Sequence, residues 1–160
     1  MREWPAMWEA QVSNSTVLDF PGCFVCGSEN ASGLHVKFAR DGDDGCRAEY
    51  TVHGDHVGWP GLMHGGLLFT LMDEAVAWAV CFADLRAVTG RAEVRFRRPV
   101  TVGSRIVITG RVVDRARRAV RVRAEIRRAD DAAEVVADMD AMMVLTDVGQ
   151  WQDAQPPVGA

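Results

Sequence analysis

Residues 62–83 read LMHGGLLFTLMDEAVAWAVCFA and carry the strongest structural signal in the 160-residue chain. Apolar side chains recur at steps of three and four residues, which predicts an α-helix over 65–83. The members of this series are Leu68, Leu71, Met72, Ala75, Val76, Ala79 and Val80. The turns between them are also largely apolar, and a helix that is apolar nearly all round is enclosed by protein on most sides. We therefore predict one long central helix.

The segments on either side of this helix have the two-residue period of β-strands. Two short strands are predicted before it, at 34–38 and 46–52, with irregular chain over 53–63. Four more are predicted after it, at 92–97, 105–109, 120–127 and 139–145. Only the helix is long and apolar enough to cover one face of these strands. The predicted fold class is α+β, an antiparallel sheet of about six strands wrapped around one long central helix.

Length and composition predict a single domain with two flanks. A chain of 160 residues with 48% hydrophobic residues suits one core and excludes intrinsic disorder. We assign 1–20 as an N-terminal lead-in, with Trp4 and Trp8 on one face of a helix, 21–146 as the domain, and 147–160 as a flexible tail.

Charge and hydropathy predict a soluble, cytoplasmic protein. The net charge of −4 creates no overall attraction to nucleic acid or to an anionic membrane. The first 20 residues lack the continuous apolar stretch of a secretory signal. The apolar run 67–82 contains Asp73 and Glu74 and is short for a bilayer span. We expect neither nucleic acid nor membrane as a partner.

Two glycines follow a histidine at the predicted start of the helix, as His64-Gly65-Gly66. The first N–H groups of a helix have no intrahelical partner and lie at the positive end of its dipole. They can therefore bind an anion or stabilise a developing oxyanion. On the glycines alone, a tight turn without further function is the simpler interpretation.

Asp73 changes that balance, because it lies in the middle of the apolar helix with no basic residue one turn away. A buried carboxylate needs a partner, a raised pKa or a cleft. Exposure on a narrow polar edge is the alternative, and Glu74, about 100° further round, is expected to reach solvent. A carboxylate near a helix-end oxyanion site indicates hydrolysis of an acyl group.

The two features lie too far apart on one helix to act on the same carbonyl. A rise of 1.5 Å per residue places Asp73 about 12 Å from Gly65 of its own chain. If the site is real, the start of one helix must face Asp73 of a second chain. The spacing therefore predicts a symmetric dimer.

Cys23 and Cys26, within CFVCG at 23–27, have the spacing of half a zinc or redox site. No second CxxC follows, and the other cysteines and histidines fit no common zinc spacing. We therefore favour reduced, partly buried thiols in a loop and no metal. A zinc-containing interaction protein is the alternative.

Three segments together resemble the PaaI-type hotdog-fold acyl-CoA thioesterases. The segment CFVCGSENASGL at 23–34 resembles their lead-in. His64-Gly65-Gly66, followed after six residues by Asp73, resembles their principal active-site motif. Thr89, before an alternating strand that ends FRRPV at 96–100, is similar to their next segment. The resemblance covers about residues 20–146.

The resemblance implies a hotdog fold that forms homodimers, and often tetramers, through sheet edges. It implies that Gly65 donates its N–H to the thioester carbonyl and that His64 shapes this pocket. Asp73 of the other subunit is then the general base or nucleophile, and the Thr89 hydroxyl positions water or the carboxylate. The implied substrate is an acyl-CoA or acyl-carrier-protein thioester. Coenzyme A is part of that substrate, and no cofactor is expected.

Further residues are assigned to substrate binding. We expect Gly66, Trp59, Met63, Leu68 and Phe69 to line the acyl site. Residues 86–128 contain 14 arginines and three acidic residues, which is typical of a solvated sheet face. Alternatively, arginines such as Arg97 and Arg98 hold the phosphates of coenzyme A.

The sequence departs from the family pattern at Gly58, where many members have Asn or Gln six residues before the histidine. An amide there helps to hold water or the carbonyl. Its replacement by glycine favours a second hypothesis, a protein that binds acyl thioesters without hydrolysing them or acts as a partner in a biosynthetic cluster.

Overall fold

The predicted central helix is present as α1, Gly65–Phe82, in the computed structural model, which describes residues 20–146. Its buried side chains, Leu68, Leu71, Met72, Ala75, Val76, Trp78, Ala79, Val80 and Phe82, include the whole predicted apolar series. The predicted tail and nearly all of the predicted lead-in, including Trp4 and Trp8, lie outside the described residues.

Within residues 20–146, eight strands accompany this helix. They are β1 (Ala39–Arg40), β2 (Gly45–Thr51), β3 (Val57–Trp59), β4 (Leu62–Met63), β5 (Ala87–Phe96), β6 (Arg105–Arg115), β7 (Ala119–Arg128) and β8 (Val135–Leu145). Six of them form one antiparallel sheet in the order β1-β2-β6-β7-β8-β5. The helix packs against this sheet, mainly on β6, β7 and β2. The predicted α+β fold with a six-stranded sheet and one central helix is thus confirmed.

The strand predicted at 34–38 was wrong, although its alternation of buried and exposed side chains is correct. Leu34 and Val36 are buried, but their N–H groups donate to the carbonyls of Phe24 and Val25 in a loop. His35, between them, has a positive φ of 54°. Because the partner is a loop and the backbone turns at His35, no ladder forms here.

The segment 53–63 is more ordered than predicted. It contains a 3₁₀ turn, Gly54–His56, and the small hairpin of β3 and β4. The N–H of Met63 also donates to the carbonyl of Val100, at 2.8 Å. These bonds hold the residues that immediately precede α1.

The helix is long and apolar enough, by length and composition, to cross a membrane, contrary to the expectation that this run is too short. Half of that span is buried inside the domain. The core helix of a water-soluble protein has the same length and composition, so the span is explained by packing against the sheet.

Gly110 on β6 sets how closely the helix approaches the sheet. A Cβ atom there would lie 2.3 Å from the Ala75 carbonyl oxygen and 3.1 Å from Cys46 Sγ. The Cys46 thiol itself donates to that same carbonyl, at 3.1 Å. Contact with backbone cannot be relieved by turning a side chain, so any larger residue must push the helix away.

We therefore expect Gly110→Ala to lower the free energy of unfolding by about 2–3 kcal/mol, because overpacking a core has costs of this size. Urea denaturation measures it as a lower midpoint at unchanged slope. Gly54→Ala is the matched control, since a Cβ there meets nothing within 4 Å. Equal midpoints for the two variants would contradict the proposed close contact.

Candidate active site

The start of α1 is capped by His64, whose backbone is extended (φ −66°, ψ 129°). Its Nδ1 accepts a hydrogen bond from the Gly66 N–H at 2.9 Å. A Cβ atom on Gly66 would lie 2.9 Å from that same Nδ1, so glycine lets the ring approach. The Gly66 N–H is therefore already bonded to His64. It is not free to donate to a substrate, so the predicted substrate-binding role of Gly66 cannot rest on this N–H.

The Gly65 N–H, by contrast, has no hydrogen-bond partner within residues 20–146. The following N–H groups, those of Leu67 and Leu68, donate to the His64 carbonyl. The Phe96 ring lies 3.8 Å from where a Gly65 Cβ would be. One unbonded donor at the positive end of a helix, beside an aromatic ring, can stabilise a developing oxyanion.

Asp73 is half-buried on α1, and its Oδ1 accepts a hydrogen bond from the Thr89 hydroxyl at 2.8 Å. Of the outcomes expected for a buried carboxylate, the structure thus has a hydrogen-bonding partner, the Thr89 hydroxyl on β5. The acidic group and the hydroxyl are 16 residues apart in the chain. A hydroxyl that bonds one carboxylate oxygen orients the other for contact with water or substrate.

A bulge in β5 makes this contact possible. Ala92 pairs with Ala141 on β8, and Val94 with Met139, but the register shifts between Thr89 and Arg91. Simple alternation would place Thr89 on the outer face, with Glu93. Because Gly90 is the extra residue, Thr89 pairs instead with the buried Met143 and faces the helix.

Glu74 lies in surroundings that the sequence did not predict. It was expected to reach solvent, but it is half-buried beside the loop that carries Cys23 and Cys26. Burial raises the pKa of Glu74 to about 7. Hydrogen bonding with the Cys26 side chain lowers the pKa of Cys23 to about 5, and the same interaction raises that of Cys26.

Gly58 has a steric explanation. A Cβ atom there would lie 2.8 Å from Cδ2 of the His64 ring, so a larger residue would displace the ring that caps α1. The backbone N–H of His64 donates to the His56 carbonyl at 2.9 Å. The His56 ring shares a hydrogen bond with the Tyr50 hydroxyl. The Tyr50 hydroxyl was not assigned to the site from the sequence.

Residues 60–135, from just before β4 through α1 to the first residue of β8, match the family model of the thioesterase superfamily. This stretch of 76 residues thus resembles the thioesterase superfamily. No curated protein matches the sequence.

Solved structures agree with the hotdog fold. A thioesterase superfamily protein has 25% identity and a TM-score of 0.72, over 76% of this chain. The match covers 62% of that protein, so this chain spans less than two thirds of it. The E. coli PaaI protein, from the phenylacetic acid degradation operon, has 23% identity and a TM-score of 0.66, over 71% of this chain and 81% of its own.

A third similar structure is a hypothetical thioesterase from Streptococcus pneumoniae, determined with coenzyme A. It has 21% identity and a TM-score of 0.65, over 69% of this chain and 85% of its own. At this identity the likeness is evidence for the fold. A single chain contains both predicted features, the unbonded Gly65 N–H and the Asp73 carboxylate, at separate points along α1.

The residues predicted to line the acyl site fall into two groups. Trp59 is 77% exposed and Phe69 is 38% exposed, so both present apolar surface to solvent. Met63 and Leu68 are buried in the core. Phe96, 56% exposed beside Gly65, was quoted in the family resemblance but not assigned to the site. Its position beside the helix start depends on a contact between distant segments.

The arginines predicted to bind phosphate are paired with acidic residues. Arg97 forms an ion pair with Asp138, which raises the pKa of Arg97, and Arg98 lies 3.7 Å from Glu134. Both arginines line a groove of about 530 Å³ that also contains Arg95 and Arg123. Four carboxylates line the same groove and balance its four arginines, so a phosphate must compete with carboxylates for the guanidinium groups.

Proposed function

We propose that the protein hydrolyses acyl-CoA or acyl-carrier-protein thioesters to a free acid and a thiol. The match of residues 60–135 to the thioesterase superfamily supports thioester hydrolysis in general. The observation that carries the proposal further is the unbonded Gly65 N–H, which acts with a half-buried carboxylate that is already bonded to a hydroxyl. The coenzyme A bound to the Streptococcus pneumoniae protein supports an acyl-CoA as the substrate.

In this proposal the Gly65 N–H binds the thioester carbonyl oxygen. Negative charge develops on that oxygen when the carbonyl carbon is attacked, and a preorganised donor at a helix start stabilises it. His64 contributes by bonding Gly66, which holds the first turn in place and leaves the neighbouring donor free. Phe96 provides an apolar wall against which the thioester packs.

Asp73 is the proposed general base or nucleophile, and Thr89 positions it. Two alanine variants of the Streptococcus pneumoniae protein have been determined, at an aspartate and at a threonine 16 positions further along that chain. Asp73 and Thr89 have the same separation here, which supports assigning them to one site.

We expect Thr89→Val to lower kcat about tenfold, because it removes a hydrogen bond to a charged group while keeping the β-branched shape. Thiol release from an acyl-CoA measures the effect. Thr89→Ser keeps the hydroxyl and should restore most of the rate. If the valine and serine variants have the same rate, the hydroxyl has no positioning role.

The proposed site is completed by a second copy of the chain. Asp73 lies about 12 Å along α1 from Gly65, so the two groups cannot contact one carbonyl within a single chain. The ten residues of β5 form a sheet edge that no strand within the described residues covers, and long open edges tend to pair. Pairing of β5 with its copy across a two-fold axis is the proposed homodimer, and a tetramer is compatible with it.

The proposal extends to the residues that bind the acyl chain and the phosphates of the substrate. Exposed Trp59 and Phe69 would accept an aromatic ring or an alkyl chain. Arg97 and Arg98 would bind the phosphates of coenzyme A by exchanging their present carboxylate partners. A cytoplasmic location remains a prediction from the sequence.

Gly58 favours one alternative, a protein that binds acyl thioesters without hydrolysing them. The space that an amide would need is occupied here by the His64 ring. Release of free thiol from a panel of acyl-CoAs separates the two functions. Turnover supports the hydrolase, whereas tight acyl-CoA binding without turnover would replace it by the binding protein.

A further inference from the structure

A cluster of three potential metal ligands lies outside the proposed active site. Cys23 and Cys26 come from the loop before β1, and Glu74 comes from the middle of α1. Their ligand atoms, two Sγ and a carboxylate oxygen, all lie within 4.8 Å of one another. Cys26 is fully buried, and the other two side chains are half-buried.

We propose that Cys23, Cys26 and Glu74 bind one zinc ion, with water in the fourth position. Thiolate sulfur and carboxylate oxygen are both established zinc ligands, and three protein ligands with one open position is a recurring arrangement. Because Cys23 and Glu74 are only half-buried, we place the open position on their side of the cluster, toward solvent.

The separation of the ligand atoms fits a tetrahedral ion. Zinc bonds of about 2.3 Å to sulfur and 2.1 Å to oxygen, at tetrahedral angles, place the sulfur and oxygen about 3.6 Å apart. Cys23 Sγ and Glu74 Oε1 are 3.5 Å apart. The loop and the helix therefore already hold this pair at the distance that coordination requires.

The loop is also shaped to present a thiolate. The N–H groups of Val25 and Cys26 both point at Cys23 Sγ, at 3.3 and 3.5 Å, and such bonds stabilise negative sulfur. A Cβ atom on Gly27 would lie within 2.6 Å of backbone atoms of Pro21 and Cys23, so only glycine permits this fold of the loop. The ligand geometry is thus built into the backbone.

The cluster carries acidic groups without a paired cation. Among the described residues, no lysine or arginine forms an ion pair with Glu74. The Lys37 Nζ donates to the Cys26 carbonyl oxygen, at 2.6 Å. A divalent cation would neutralise charge that the described side chains leave unbalanced.

The proposed ion would join the loop to the helix whose first residue supplies the Gly65 donor. Glu74 follows Asp73 directly in the sequence. A metal ion bound to Glu74 would therefore restrict the rotation of α1, and with it the position of the Asp73 carboxylate. The zinc site does not depend on thioester hydrolysis. Metal binding and thiol release therefore fail or succeed separately.

The test is metal uptake by the full chain, stripped with a chelator and kept reduced. Titration with Co²⁺ should give thiolate-to-cobalt charge-transfer bands that saturate at one equivalent, and zinc should displace the cobalt. Added zinc should raise Tm, since a ligand that binds only the folded state stabilises it. A chain that gives no charge-transfer band and no shift in Tm overturns the proposal without any variant.

Variants assign the ligands. Cys26→Ser and Cys23→Ser should abolish the charge-transfer band at one equivalent, and Glu74→Gln should weaken binding while keeping both sulfurs. Cys81→Ser is the matched control, a half-buried cysteine on the same helix, and should bind as the unmodified chain does. Retained uptake in the double variant of Cys23 and Cys26, or loss of uptake in Cys81→Ser, would assign the metal to other groups.

Discussion

Asp73→Ala is expected to lower kcat for thioester hydrolysis by at least about a hundredfold, because general-base catalysis contributes factors of that size. The carboxylate is half-buried and bonded to Thr89 at one oxygen, which leaves the other to activate water or attack the carbonyl. Asp73→Asn should have a similar effect, since it keeps the shape and loses the basic oxygen. Steady-state release of thiol from an acyl-CoA provides the measurement.

Two controls separate a catalytic effect from a structural one. Asp43→Asn changes an exposed aspartate near β1 and should leave kcat unchanged. Circular dichroism and the unfolding midpoint of the Asp73 variants should match those of the unmodified chain, because the side chain contributes little to the core. Full activity in Asp73→Ala would reject Asp73 as the base or nucleophile.

Gly65→Pro is expected to lower kcat by about a hundredfold to a thousandfold, the usual cost of losing one oxyanion donor. Gly65 is the first residue of α1, where proline is well tolerated because the N–H has no intrahelical partner. His64 already has the extended backbone that a residue before proline needs, at φ −66° and ψ 129°. The substitution therefore removes the donor and preserves the helix.

Gly65→Ala is the matched control, because it adds a Cβ and keeps the N–H. That Cβ would lie 3.8 Å from the Phe96 ring, an ordinary contact distance, so most of the rate should remain. If both variants lose activity equally, the space at Gly65 matters and its N–H does not.

Mixing the two inactive variants tests whether the site spans two chains. In a dimer of one Asp73→Asn chain and one Gly65→Pro chain, one site carries both defects and the other carries neither. Random exchange should therefore restore about one quarter of the unmodified activity. A mixture that stays inactive after complete exchange would place both groups of each site within one chain.

The central helix and most strands were predictable because their signals are local. An apolar series at helical spacing over 18 residues has few other structures available to it, and the alternating segments require a sheet that this helix covers. The segment 34–38 shows the limit of that reasoning. Its side chains alternate as predicted, but a loop rather than a strand provides the hydrogen-bond partner.

The sequence by itself determined five of the six strands of the sheet, the central helix and the position of Asp73 and His64-Gly65-Gly66 along that helix. Only the tertiary structure decided which groups these residues meet. One extra residue at Gly90 reverses the alternation of β5 and turns Thr89 toward Asp73. Glu74 meets Cys23 across 51 residues of chain, and His64 bonds Gly66 while leaving Gly65 free. Periodicity reports which face of an element is apolar, whereas these contacts depend on register and loop geometry between distant segments.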